Sequence, residues 1–294
     1  MNIEKHIKPN NEDQKFSIII PTWNNLGYLK HCIHSIRKNS YFTHQIIVHV
    51  NEGNDGTIDW LNEQEDVDFT HSKENIGICY ALNISRSLLK TDYLLYINDD
   101  MYVLPDWDKY LNDEIVAIGH NNFFLSATMI EPSTTNPSAI EFNCGSSIET
   151  FDEEKLLGGF SKIDKVDWNG ATWPPNIVHK DTWDLVGGYS IEFSPGMYSD
   201  PDFSMKLWQM GIRLFKGVSK SRVYHFAAKT TNRISKTKSD GYNIFIDKWG
   251  MSSKTFTDKY LLRGKSYCGL LENPKSDSLT IAKNRIKKIT NSFR

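Results

Sequence analysis

Phe16-Ser-Ile-Ile-Ile-Pro-Thr-Trp-Asn-Asn25 opens with a continuous apolar run, Phe16 to Ile20, closed by Pro21, and its reading decides the fold. Runs of this kind fit strands buried on both faces, as in a parallel sheet covered by helices. A helical pattern follows at once. Asn24 or Asn25 is suited to cap it, and Leu26, Leu29, Ile33 and Ile36 recur at its period. The alternation repeats downstream. Strands are predicted at 45–50, 67–71 and 93–97, with helices from about Thr57 and over 77–89. Strand–helix alternation implies an α/β fold with a mostly parallel sheet and right-handed crossovers.

Working outward, residues 1–15 read as a loose leader. The second half is less regular and rich in Trp, Pro and Gly. It holds a predicted helix over 202–210 and strands over 212–215 and 222–226, followed by a C-terminal extension over 236–294. The 294 residues suffice for one large domain, and 39% apolar against 24% charged residues suits a sizeable core. The 34 Lys and Arg nearly balance the 36 Asp and Glu, which argues against a nucleic-acid binder. Four scattered cysteines form no zinc or disulfide pattern. With no signal-peptide pattern and no apolar run near the ~18 residues of a membrane helix, a cytoplasmic protein is expected, soluble or peripheral to the membrane.

In open α/β sheets, ligands bind beyond the carboxyl ends of the strands. That selects Pro21–Asn24, 51–55 and 98–101. The first turn has no glycine and so no dinucleotide fingerprint, which argues against a nicotinamide or flavin enzyme. Asp99-Asp100 at the mouth of an apolar strand is costly unless a cation joins the two carboxylates, and Mg²⁺ or Mn²⁺ suits such ligands. The competing reading is that the pair caps the following turn.

Several segments together resemble family-2 glycosyltransferases. They are the 16–25 stretch, Asn54-Asp-Gly-Thr57, Glu74-Asn-Ile-Gly77 with Asn83, and Tyr93-Leu-Leu-Tyr-Ile-Asn-Asp-Asp100. Further on, Trp183-Asp-Leu-Val-Gly-Gly-Tyr189 resembles the family's acceptor-side segment, and Ser199-Asp-Pro-Asp-Phe203 its acidic base motif. The resemblance implies a GT-A, Rossmann-like domain over 16–235. Residues 16–110 would bind the nucleotide sugar, and 111–235 would form an irregular acceptor half. It implies inverting, metal-dependent transfer of a sugar, as in a hexosyltransferase, to an acceptor hydroxyl in glycan or surface polysaccharide assembly. A UDP-sugar is the first choice of donor, with GDP- and dTDP-sugars as alternatives, and the acceptor would be a glycan or lipid-linked.

Carried over residue by residue, Pro21, Thr22, Asn24, Asn51, Glu52, Asn75, Gly77, Asn98 and Asp99 border the nucleotide, and Asp100 binds the metal. Asn51 and Asn98 stand where many members carry acids. Asp200 matches the general base that takes the acceptor's proton. Asp202 either raises the pKa of Asp200 or caps a helix. His225 is a third metal ligand or a core histidine. Lys229 and Arg233, in a basic stretch, are placed to hold the departing diphosphate. Trp173 and Trp183 stack on sugar or pack the core. Gly187 and Gly188 allow close backbone approach or a tight turn.

Two other classes compete: a non-catalytic nucleotide-sugar binder with a degraded site, suggested by Asn51 and Asn98, and a nucleotidyltransferase, which would carry a glycine-rich loop after the first strand. At the C-terminus, Ala282, Ile286, Ile289 and Phe293 share a helical stripe among basic residues, with no acid between Leu279 and Arg294. This stripe over 279–294 either lies on an anionic membrane or docks on the domain or on a second subunit of a homo-oligomer.

Overall fold

The computed structural model describes residues 3–9, 13–226, 238–275 and 278–291. In chain order the strands are β1 (Ile3–His6), β2 (Ser17–Trp23), β3 (Gln45–Asn51), β4 (Val67–Ser72), β5 (Tyr93–Tyr96), β6 (Met101–Val103), β7 (Phe123–Glu131), β8 (Ile140–Glu141), β9 (Trp168–Asn169), β10 (Asn176–His179) and β11 (Leu214–His225). The helices used below are α1 (Leu26–Asn39), α2 (Thr57–Asn62), α3 (Gly77–Ser85), α4 (Trp107–Ile118), α5 (Glu153–Gly159), α6 (Lys180–Val186) and α7 (Ser199–Gln209).

All the strands join one sheet whose main order is β1-β4-β3-β2-β5-β10-β7-β11-β6. Strands β4, β3, β2 and β5 run parallel, as the alternation requires. The second half departs from the expected mostly parallel sheet. Strand β10 enters antiparallel between β5 and β7, and β6 lies antiparallel to β11, so the sheet is mixed. The two strands expected over 212–226 are one, β11, bent by an irregularity between Val218 and Arg222. The expected leader also differs. Ile3–His6 adds an edge strand to β4, with His6 stacked on Phe69.

Period-two alternation along β2 feeds two cores. Phe16, Ile18 and Ile20 pack with Leu29, Ile33 and Ile36 of α1 on one face, while Ile19 faces α3, α6 and α7 on the other. Asn25 is the N-cap residue of α1, but its side chain makes no cap bond. The Leu26 amide donates instead to Asp55 Oδ2 at 2.8 Å. Asp55 therefore staples the loop after β3 to the start of α1.

The C-terminal extension is built into the same body: Phe245, Phe256, Leu261 and Leu271 belong to the second core. The helix Ser278–Asn291 docks through a polar stripe. Asn284 is buried and accepts from Thr255, Lys287 Nζ donates to Ser252 Oγ, and Asn291 donates to the Asn243 carbonyl. The apolar stripe does not dock on the domain: Ile286 is 60% and Ile289 57% exposed. Phe293 and Arg294 lie outside the described residues.

Candidate active site

The order β4-β3-β2-β5 places the switch in strand order between β2 and β5, and a crevice opens beyond their carboxyl ends. A cavity of about 850 Å³ occupies it. Pro21 reaches this crevice without breaking the ladder, because the pairing of β2 with β5 ends at Ile19–Tyr96.

On the β2/β3 side, Thr22 Oγ1 donates to Asp99 Oδ2 at 2.7 Å. The Asn51 amide is fully engaged by backbone, donating to the Thr22 carbonyl and accepting from the Ile76 amide. Asn75 Oδ1 accepts from the Gly77 amide, and Asn98 Oδ1 from the Tyr96 hydroxyl at 2.8 Å. Gly77 is required where it stands: its φ is +77°, and a Cβ there would meet the Pro195 backbone at 2.5 Å. All of these except Ile76 line the cavity.

The acidic strand end forms the floor. Burial, reinforced by the adjacent Asp100 carboxylate, pushes Asp99 up to about 7 against its bond from Thr22. Across from Asp100 stands His225, at the end of β11. Its Nε2 lies 3.5 Å from Asp100 Oδ2, and its Nδ1 2.8 Å from Glu131 Oε1 at the end of β7. Burial works against the imidazolium, but Asp100 and Glu131 outweigh it and raise His225 to about 10. His225 lines the cavity. Glu131 escaped the sequence reading, although it closes the buried strand β7 much as Asp99 follows β5.

Asp200 stands on another wall, in the first turn of α7. Burial pushes its carboxyl up to about 7, although the Tyr189 hydroxyl donates to Oδ1 at 2.9 Å. Tyr189 is fixed by stacking on Phe203 and by Trp183. A carboxylate with this affinity can hold or release a proton at neutral pH.

Other predicted residues take different places. Asp202 is wholly buried, accepts from Trp249 Nε1 at 2.8 Å and pairs with Lys248. It neither caps α7 by its side chain nor raises Asp200, whose shift comes from burial; it anchors the C-terminal extension. Trp183 is core, and Gly187 and Gly188 make the left-handed turn that ends α6, Gly188 tight against Asn83 and Trp183. Trp173 does line the cavity. Asn24 and Glu52 stand outside its wall, bonded to each other at 2.9 Å, where they tie the loops after β2 and β3 together. Lys229 and Arg233 lie outside the described residues.

The family model described as glycosyl transferase family 2 matches residues 17–169, just over half of the chain. A curated relative, glycosyltransferase GlyA of Streptococcus pneumoniae serotype 4, is 28% identical over 108 residues, 35% of this chain and 15% of its own length. Among solved structures, S. aureus TarS 1–349 in complex with UDP superposes with a TM-score of 0.52 at 16% identity, covering 72% of this chain and 60% of that one. GalNAc-T7 with UDP, GalNAc and Mn²⁺ gives 0.55 at 17% identity, covering 72% of this chain and 44% of that one. The chain thus spans only part of each relative's length. The likeness to these two structures shows a GT-A fold.

Proposed function

The chain belongs to glycosyl transferase family 2, and on that premise we propose that it is a metal-dependent inverting glycosyltransferase acting on a nucleoside diphosphate sugar. One observation carries this reading: the acidic strand end Asp99–Asp100 and a carboxylate poised near neutrality, Asp200, meet in one cavity at the strand switch.

In this reading Thr22 and Asp99 border the nucleoside, and Asn51 shapes that wall. Asp200 accepts the proton of the acceptor hydroxyl as its oxygen attacks the anomeric carbon. The bond from that carbon to the diphosphate breaks, and the nucleoside diphosphate leaves. A single displacement of this kind inverts the anomeric centre. The UDP in the two solved structures supports a UDP-sugar donor. The acceptor would be a glycan, free or lipid-linked.

Among the described residues no group of three His, Cys, Asp or Glu side chains is arranged to hold a metal alone. The pair Asp100 and His225 would fit Mn²⁺ or Mg²⁺ provided that the cation displaces the Nε2 proton of His225 and that diphosphate oxygens and water complete the shell. Glu131 fixes Nδ1 of His225 and so turns Nε2 toward Asp100. Bound there, a cation supplies positive charge to the leaving diphosphate.

The test is incubation with Mn²⁺ and a panel of UDP-, GDP- and dTDP-sugars, reading released nucleoside diphosphate and the anomeric configuration of the product. UDP binding without turnover on any donor and acceptor would favour the non-catalytic binder.

Among the described residues no helix is long and apolar enough to cross a membrane. The outward face of Ser278–Asn291 combines Ile286 and Ile289 with exposed Lys283, Arg285 and Lys288. That combination supports a peripheral contact with an anionic bilayer, where a lipid-linked acceptor is presented.

A further inference from the structure

We propose that Arg263 selects an acceptor carrying an anionic group, a phosphate or a carboxylate, close to the hydroxyl that receives the sugar. The inference rests on the glycosyltransferase reading and names the acceptor class for it.

Arg263 lines the same cavity as Asp100 and Asp200. Its guanidinium carbon lies 4.0 Å from the ring centroid of Trp173, a stacked cation–π arrangement. Nε is buried with no hydrogen-bond partner, and among the described residues Arg263 has no ion pair. Asp258, whose charge acts on it, is engaged by Lys254 at 2.5 Å. A guanidinium offers five donors in a rigid fork, and leaving one half-buried and unpaired is costly unless a ligand completes it.

The position is built. The Arg263 amide donates to the Thr257 carbonyl at 3.0 Å, and the next residues are zipped to β9. Gly264 N donates to the Asn169 carbonyl at 3.0 Å, Asn169 N to the Lys265 carbonyl at 2.8 Å, and Tyr267 N to the Asp167 carbonyl at 2.8 Å. Gly170, at φ +89°, makes room: a Cβ there would meet Arg263 Cα at 2.8 Å. Trp173 is held in turn by a bond from Ser126 Oγ to its carbonyl at 3.0 Å. The fork is therefore oriented before any ligand arrives, which lowers the ordering cost of binding.

The anion belongs to the acceptor on the following ground. In the glycosyltransferase reading the ends of β2, β3 and β5 make the nucleotide wall, and the pair Asp100–His225 faces the diphosphate. Arg263 belongs to none of these strand ends: it stacks on Trp173 and, with Met129, also borders a small pocket lined by Ala127 and Gly170.

The test uses the full chain saturated with UDP and Mn²⁺. Calorimetry compares glucose 6-phosphate and methyl glucuronide with neutral methyl glucoside. The wild type should bind at least one anionic probe about 10-fold to 100-fold more tightly than the neutral one, the range expected of a charged hydrogen bond. Arg263→Gln should remove that preference with UDP affinity and melting curve unchanged, and Arg263→Lys should restore it in part. If Arg263→Gln weakens UDP itself by the same factor, the anion is the donor's diphosphate and the proposal is overturned. Equal binding of charged and neutral probes to the wild type overturns it too. Failure of the wild type to bind UDP at all would sink the glycosyltransferase reading instead.

Discussion

At the residue scale the chemistry turns on Asp200. Asp200→Asn keeps the bond from Tyr189, since the amide oxygen still accepts, but cannot take a proton. Turnover should fall at least ~10²-fold with donor affinity retained, the low end for general base catalysis; a near-normal kcat would move the base elsewhere. The same substitution has an opposite effect on stability. The folded carboxyl is raised to about 7 from its ordinary 3.8, so wild type bears the cost of a buried charge above that pH. That cost fades as pH falls toward 4, where the carboxyl is protonated when folded. Asp200→Asn should therefore melt above wild type at pH 8, by a margin that shrinks toward pH 4. A margin that grows on acidification would contradict the burial of Asp200. The Tyr189 hydroxyl stabilises the carboxylate, so Tyr189→Phe should move the acid limb of the kcat/KM profile upward from neutrality. An unmoved limb would assign it to another group.

At the element scale, the loops after β2 and β3 are joined by Asp55, which bonds the Leu26 amide as well as the Thr57 amide and hydroxyl. Asp55→Ala removes the substitute cap of α1 and should lower stability by about 1 kcal/mol in chemical denaturation. No change would mean that water replaces it fully. The helix Ser278–Asn291 makes a different prediction. Its polar stripe docks and its apolar–basic face is exposed, so full-length protein should sediment with anionic vesicles at low salt and release as salt rises. Ending the chain after Ser278 should abolish this. Indifference to anionic vesicles at low salt would leave the exposed isoleucines without a membrane role.

At the scale of the whole molecule, the two halves share the sheet, the core between α3, α6 and α7, and the cavity. A ligand spanning that cavity stabilises the folded state by mass action. UDP with Mn²⁺ should raise the melting temperature, EDTA should reverse the metal-dependent part, and Asp100→Ala should be blind to the metal. A shift with UDP alone, untouched by Mn²⁺ or EDTA, would remove the metal from donor binding. The order β2-α1-β3-α2-β4-α3-β5 and the acidic pair Asp99-Asp100 were legible in the sequence, because apolar period, turn residues and strand ends are local properties. Thr22, Asn51, Asp99 and Asp100 meet in the crevice for that reason: each ends, or directly follows, a strand of the parallel half. What only the tertiary structure decided is which residues stand opposite one another. Glu131 and His225 are 94 positions apart and meet because β7 and β11 pair in parallel. Asp202 was expected to raise Asp200 or to cap a helix, but residues two apart on a helix point in different directions, and Trp249 and Lys248 claim it. Arg263 reaches the cavity only because β9 zips the C-terminal segment against the sheet. Periodicity tells which side chain turns inward; the partner it finds there depends on strand pairing and chain closure across the whole fold.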